Sequence, residues 1–255
     1  MHNKERRYRR TRHKNEIVIA QSELEEGSIE VPFPGEMGRP TPSFTGLKTE
    51  YMSAMTKIEI AWRTILDALH ESYDLNIKDP NFSETPKRIA KMMILERCAG
   101  INSKADCIKI LGKDFPPMND DKETDQLIIT TSPAIVYGIC PHHFENVRYH
   151  VWTAYVPNEK FVGISKFTRM VDLYGRQPLL QETFTSDLAE IIMEALNPKG
   201  AAVVVKGWHD CMIARGAKSN PESAMITSAM RGIFQDPGQE TFKEEFFRLC
   251  QQTGI

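Results

Sequence analysis

Two short segments constrain this chain more than any other feature. Gly138-Ile139-Cys140-Pro141-His142-His143-Phe144 and Gly207-Trp208-His209-Asp210-Cys211-Met212 hold two of its five cysteines and three of its seven histidines. Cys140 and His143 are three residues apart, so one loop can turn both toward a single ion. His209 and Cys211 are two apart, and on a strand they face the same side. Strands carrying the two segments, paired in one sheet, would bring these residues together. Two thiolates and one imidazole form a soft donor set that favours zinc. A fourth position left to water makes such a site catalytic rather than structural. Three ligands drawn from two cysteines and three histidines leave two histidines over, suited to general acid and base work near neutral pH. The spacing is not that of a zinc finger, and there is no Cys-x-x-Cys pair.

The chain has 255 residues, 41% of them hydrophobic, enough for one sizeable domain or two small ones. A net charge of -2 gives no global basic field, so no nucleic-acid partner is expected. No apolar run is long enough to span a membrane. The basic start is not followed by an apolar stretch, so no secretory signal is expected. Five cysteines without framework spacing point to a reducing, cytoplasmic setting with thiols free for a metal.

Residues 1–50 read as a flexible extension. Lys4 to Lys14 is dense in basic residues, Glu23, Glu25 and Glu26 follow, and then comes a Pro/Gly-rich piece from Pro32 to Gly46. The basic start suits a solubilising tail or a tether to an acidic surface. From Tyr51, the residues Met55, Ile58, Ile60, Ala61, Ile65, Leu66 and Leu69 recur at helical spacing. Ser83-Glu84-Thr85-Pro86 is a helix-start pattern, a hydroxyl cap with proline just inside, and Gly100 stops that helix. Leu127–Val136 and Arg148–Val156 are strand-like; Lys166–Gly175 and Glu182–Leu196 have helical periodicity. Gly200–Val205 suits a buried strand, Ala224–Ile233 a fourth, and Thr241–Cys250 a closing helix. The order strand, strand, helix, helix, strand, strand predicts an α+β fold: an antiparallel four-stranded sheet with two helices on one face. The edges of such a sheet need covering, and edge-to-edge oligomerisation is one answer.

At these residues the chain resembles the GTP cyclohydrolase I family, from Thr85 to the C-terminus. The likeness rests on several motifs in order. Thr85-Pro86-Lys87-Arg88-Ile89-Ala90-Lys91-Met92 comes first, then Cys140-Pro141-His142-His143, then Tyr155-Val156-Pro157-Asn158. Gly163-Ile164-Ser165-Lys166-Phe167-Thr168-Arg169 and Pro178-Leu179-Leu180-Gln181-Glu182 follow. His209-Asp210-Cys211-Met212-Ile213-Ala214-Arg215-Gly216 and Thr227-Ser228-Ala229-Met230-Arg231-Gly232-Ile233-Phe234 complete the set. Each is weak alone, but their order is specific.

The resemblance implies the tunnelling fold, with N-terminal helices over 51–100, a core from about residue 120 to 255, and a multi-subunit barrel, a homodecamer of two pentamers. It implies zinc held by Cys140, His143 and Cys211, with His142 and His209 as catalytic histidines and Ser165 near the ribose. Glu182, beside Gln181, matches the guanine anchor; a carboxylate accepts two parallel hydrogen bonds from guanine N1–H and the 2-amino group, which adenine cannot offer. Lys91, Lys166, Arg169 and Arg215 match contacts to the triphosphate, whose charge needs several cations. The implied reaction adds water at C8 of GTP, releases formate, rearranges the ribose and closes a new ring. The product, 7,8-dihydroneopterin triphosphate, serves pterin/folate or 7-deazaguanine synthesis.

The chain departs from the family pattern at three places. Pro141 stands where the family usually carries Glu, and a pyrrolidine supplies no carboxylate and holds φ near -65°. Gln177 replaces a usual Arg, and Met225-Ile226 replace part of a Thr-rich run. Two other functions compete. A catalytically inactive, GTP-binding or regulatory homologue is supported by Pro141 and opposed by the presence of both His142 and His209. A nitrile reductase of the same fold uses a cysteine nucleophile with a nicotinamide, and needs no Cys140, His143, Cys211 set.

Overall fold

The computed structural model describes residues 49–112, 127–130 and 133–255, all within a unit spanning Gly38–Ile255. The basic start and the Pro/Gly-rich piece lie outside the described residues.

The N-terminal half is helical. Helix α1 (Thr49–Tyr73) packs on α2 (Thr85–Met92) through one stripe, with Leu66 buried and Met55, Ile58 and Trp62 half-buried. The apolar periodicity therefore serves two faces: Ile60, Ile65 and Leu69 point outward and stay about 40% exposed. The start of α2 differs from the expected hydroxyl cap. Glu84 occupies the cap position without a side-chain bond, while the hydroxyls of Ser83 and Thr85 donate back to the Pro80 and Asn81 carbonyls. Pro86 sits in the first turn, where its missing N–H leaves no bond unmade. The helix runs into a π-turn (Met93–Arg97), and a further helix absent from the sequence reading follows, α3 (Lys104–Leu111).

The sheet is antiparallel throughout. Strands β1 (Ile128–Ile129) and β2 (Ala134–Ile139) both pair with the same edge of β3 (Asn146–Val156). The expected first strand is thus present as two pieces. Across β3 lies β4 (Gly200–His209), and beyond it β5 (Met225–Gly232). Helices α4 (Ile164–Gly175) and α5 (Gln181–Leu196) connect β3 to β4.

Strand periodicity sorts the core into two layers. Val147, Tyr149, Val151, Tyr155, Ala201, Val203 and Val205 face α3, α4 and α5, packing on Phe167, Met170, Phe184, Leu188 and Ile192. The alternate residues Trp152, Ala154, Val156, Ala202 and Val204 face the other way. There they meet Phe246 and Cys250 of α7 (Glu240–Gln252). The expected placement of helices on one face thus holds for α4 and α5, while α7 covers half of the opposite face. It does so because β3 and β4 are apolar on both sides along that half.

The uncovered half of that face is polar. The guanidinium carbon of Arg148 lies 4.4 Å from the centre of the Trp208 ring, the Lys206 ammonium lies 5.4 Å from it, and the His150 ring 4.7 Å. Burial, then the charges of Arg148 and Lys206, hold His150 below the usual histidine range. As pH falls, the unfolded chain takes up this proton before the folded one does. The contribution of His150 to stability is therefore full above the unfolded value of about 6.5 and declines as pH drops through the lowered one. The melting temperature is expected to fall from pH 7.5 to pH 5, and His150→Gln to narrow that fall; an unchanged fall would remove His150 as its cause.

Candidate active site

Gly138, Val147 and His209 form one rung across β2, β3 and β4. The sequence expectation that the two strands bearing the Cys/His segments pair with each other is therefore corrected: they lie in one sheet, but β3 stands between them. Since β3 begins at Asn146, opposite Ile139, no strand separates the segments beyond that pair. Cys140 follows the end of β2. Cys211 follows the end of β4, carried on a single helical turn, α6 (Asp210–Ile213), rather than on the strand. That turn directs Cys211 back over the sheet end. The two sulfurs stand 3.6 Å apart.

The loop bearing Cys140 is held at several points. Its N–H donates to Glu145 O and its carbonyl accepts from Phe144 N–H, both at 2.9 Å, with Phe144 at a φ of 57°. Arg97, at the end of the π-turn, donates to Gly138 O at 2.8 Å and to Asn146 Oδ1 at 2.6 Å, bracing the hairpin.

Cys140, Cys211 and His209 bring their ligand atoms within 4.8 Å of one another. Zinc–sulfur bonds of about 2.3 Å in a tetrahedron set two sulfurs roughly 3.8 Å apart, so the observed pair fits a zinc ion. Burial, and then the neighbouring Cys140 thiol, push the Cys211 thiol up, with the Arg215 charge opposing. Two thiolates this close repel one another, and a divalent cation relieves that repulsion. His142 Nδ1 lies 3.7 Å from Cys140 Sγ. His143 is exposed and stands outside the three-residue group, its ring 6.5 Å from that of His142.

His209 is set against Gln181, the first residue of α5, which is 1% exposed. Burial holds His209 below the usual histidine range, opposed by the charges of Glu182 and Asp210. Glu182 and Arg215 are thus in electrostatic reach of the group, and both are exposed. A cleft of about 770 Å³ opens along β5 and the first turns of α5, lined by Glu182, Thr185, Thr227, Arg231 and Lys243 among others. That volume is in the range of small-molecule sites.

Ser165, Lys166 and Arg169 stand elsewhere. The N–H of Val162, just before α4, donates to the Tyr155 hydroxyl, and the Phe167 ring lies 5.5 Å from that of Tyr155. Tyr155 is eight residues along β3 from Val147, the partner of His209. At a strand rise of ~3.3 Å this is roughly 26 Å. Lys91 is exposed on α2.

Three participants escaped the sequence reading. Arg97 reads as one more helical cation. Tyr149 reads as strand packing, yet its hydroxyl is buried without a partner among the described residues, and its ring edge meets His209. Gly207 reads as a weak spot in a strand. A Cβ at Gly207 would collide with the Gln181 side chain, and the glycine was the one signal pointing to a close approach.

The family model for GTP cyclohydrolase I matches residues 58–251. A GTP cyclohydrolase 1 of Thermoanaerobacter pseudethanolicus is 39% identical over 181 residues, covering 70% of this chain and 88% of the relative. That of Carboxydothermus hydrogenoformans is 38% identical over 179 residues, covering 70% and 86%. That of Clostridium perfringens is 35% identical over 193 residues, covering 76% and 96%. An apo structure of the archaeosine synthase QueF-Like aligns with 43% of this chain and 97% of its own, at a TM-score of 0.36 and 23% identity, too loosely to bear on function.

Proposed function

The chain belongs to the GTP cyclohydrolase I family of hydrolases, and on that premise we propose that it hydrolyses GTP to 7,8-dihydroneopterin triphosphate and formate with the aid of zinc. The observation that carries this reading is the convergence of Cys140, Cys211 and His209 within 4.8 Å, in electrostatic reach of Glu182. Zinc bound there would supply Lewis acidity and lower the pKa of a bound water toward neutrality.

The chain's own side chains supply the rest. Glu182 accepts from guanine N1–H and the 2-amino group, which orients the purine and selects against adenine. His142 is exposed beside Cys140 and exchanges protons with the purine nitrogens. His209, whose proton affinity burial lowers, serves either as a base or as the imidazole ligand. Arg215 and Lys91 carry charge suited to the triphosphate.

Ser165, Lys166 and Arg169 cannot join the same site within one chain, since roughly 26 Å of strand separates the two ends. In this reading a second copy brings its α4 to the Cys140–Cys211 end. The edge of β5, which pairs with no further strand among the described residues, and the outward apolar residues Ile60, Ile65 and Leu69 support assembly into the barrel that the family resemblance implies. No helix among the described residues is long and apolar enough to cross a membrane.

Incubation of the purified protein with GTP, with and without a chelator, tests the reading through formate release and the fluorescence of the oxidised pterin. Turnover that the chelator abolishes is the expected result. No turnover from zinc-loaded protein would leave the inactive-homologue alternative, with Pro141→Glu as the variant to build. Zinc content then identifies the imidazole. The family resemblance points to His143 and the geometry to His209, so the alanine variant that loses zinc names the ligand.

A further inference from the structure

We propose that Gln181 is a positioning residue acting through His209: its amide fixes which ring nitrogen carries the proton and leaves the other available to the site. The family resemblance suggests instead that Gln181 contacts substrate. Its side chain is buried and its amide is engaged at both ends by the protein.

The orientation of the amide follows from its neighbours. Gln181 Nε2 lies 3.1 Å from Val205 O and 2.9 Å from Met225 O. Both are carbonyl acceptors, so the edge facing them must be the NH₂ group. A flipped amide would set its oxygen against two carbonyl oxygens. Gln181 Oε1 therefore faces His209 Nε2, at 2.9 Å. An amide oxygen only accepts, so Nε2 must carry the hydrogen. In the neutral ring the lone pair then sits on Nδ1.

A second layer holds the amide in place. Thr227 Oγ1 is 3.2 Å from Nε2, and the Thr185 hydroxyl bridges Thr227 Oγ1 and the Gln181 carbonyl at 2.6 and 2.7 Å. Gly207 completes the arrangement, because any side chain there would take the space of Oε1. The bond thus runs from α5 over Gly207 to the last residue of β4, and the glycine is what makes room for it.

The inference rests on the proposed GTP hydrolysis, and its test separates the two. Gln181→Met and Gly207→Ala are made alone and combined with His209→Ala. Wild-type formate release from GTP decides the activity itself. If Gln181 acts through His209, each single variant lowers kcat about 10- to 100-fold with KM within about twofold, the usual range for groups that orient a functional imidazole. Neither variant then lowers kcat further once His209 is alanine. An equal further loss in the His209→Ala background overturns the inference, as does a raised KM with kcat held, which would make the amide a substrate contact. Gly207→Ala keeps the amide in the protein, so an answer survives if Gln181→Met does not fold. A crystal structure of either variant gives a readout independent of turnover: the His209 ring turns from its wild-type orientation, and a ring left in place overturns the proposal.

Discussion

Cys211→Ala is expected to lose bound zinc and to lower GTP turnover by about a thousand-fold or more. The two sulfurs lie 3.6 Å apart with only one imidazole in the same group, so removing one thiol leaves two ligands where three are needed. A metal acting as Lewis acid contributes several kcal/mol of transition-state stabilisation, and about 4 kcal/mol corresponds to a thousand-fold. Cys250→Ala is the control. Cys250 is fully buried on α7, facing the sheet in the second core layer, so its loss lowers the melting temperature and leaves zinc content unchanged. Zinc content by elemental analysis and formate release together decide the matter. Retained zinc in Cys211→Ala would remove this thiol from the site.

The second large effect is complementation between two inactive variants. Arg169→Ala removes a cation carried by α4, and Cys211→Ala removes a thiol at the opposite end of the sheet. Cys211→Ala loses turnover with its metal ligand as above, and Arg169→Ala should lose at least about a hundredfold, because a triphosphate left without one of its cations binds and reacts poorly. Co-expressed in equal amounts, the two should recover about a quarter of wild-type activity. A site that draws the thiol from one copy and the arginine from another has both intact at roughly one site in four when the two variants mix at random. A site built within one chain would recover nothing. Separation of the mixed oligomers with two different tags, followed by turnover measurement, distinguishes these outcomes.

Much of the fold was legible in the sequence. The strand-like run Arg148–Val156 and the apolar run from Gly200 are local signals carried by the residue types themselves, and both became strands. The helices α4 and α5 were legible for the same reason. Less clear were the break between β1 and β2, helix α3, and the split of the α1 stripe into a packed and an open face. Each depends on what packs opposite, and periodicity carries no record of its partner.

The same division runs through the site. The clustering of Cys140, His142, His143, His209 and Cys211 in two segments was enough to suggest a metal, because those residue types have few other reasons to gather. Sequence alone could not say that β3 lies between the segments and ends in time to let them meet, nor that a turn of helix rather than a strand presents Cys211. It could not place Ser165 and Arg169 at the far end of the sheet from Cys140 and Cys211. Nor could it show that Gln181 is buried against His209 with Gly207 making room. Side-chain chemistry is a property of each residue and is carried by the chain wherever it goes. Distance between residues remote in sequence is set only when the strands pair and the helices pack, and so the chemistry of this protein was written in its sequence while its geometry was decided by the fold.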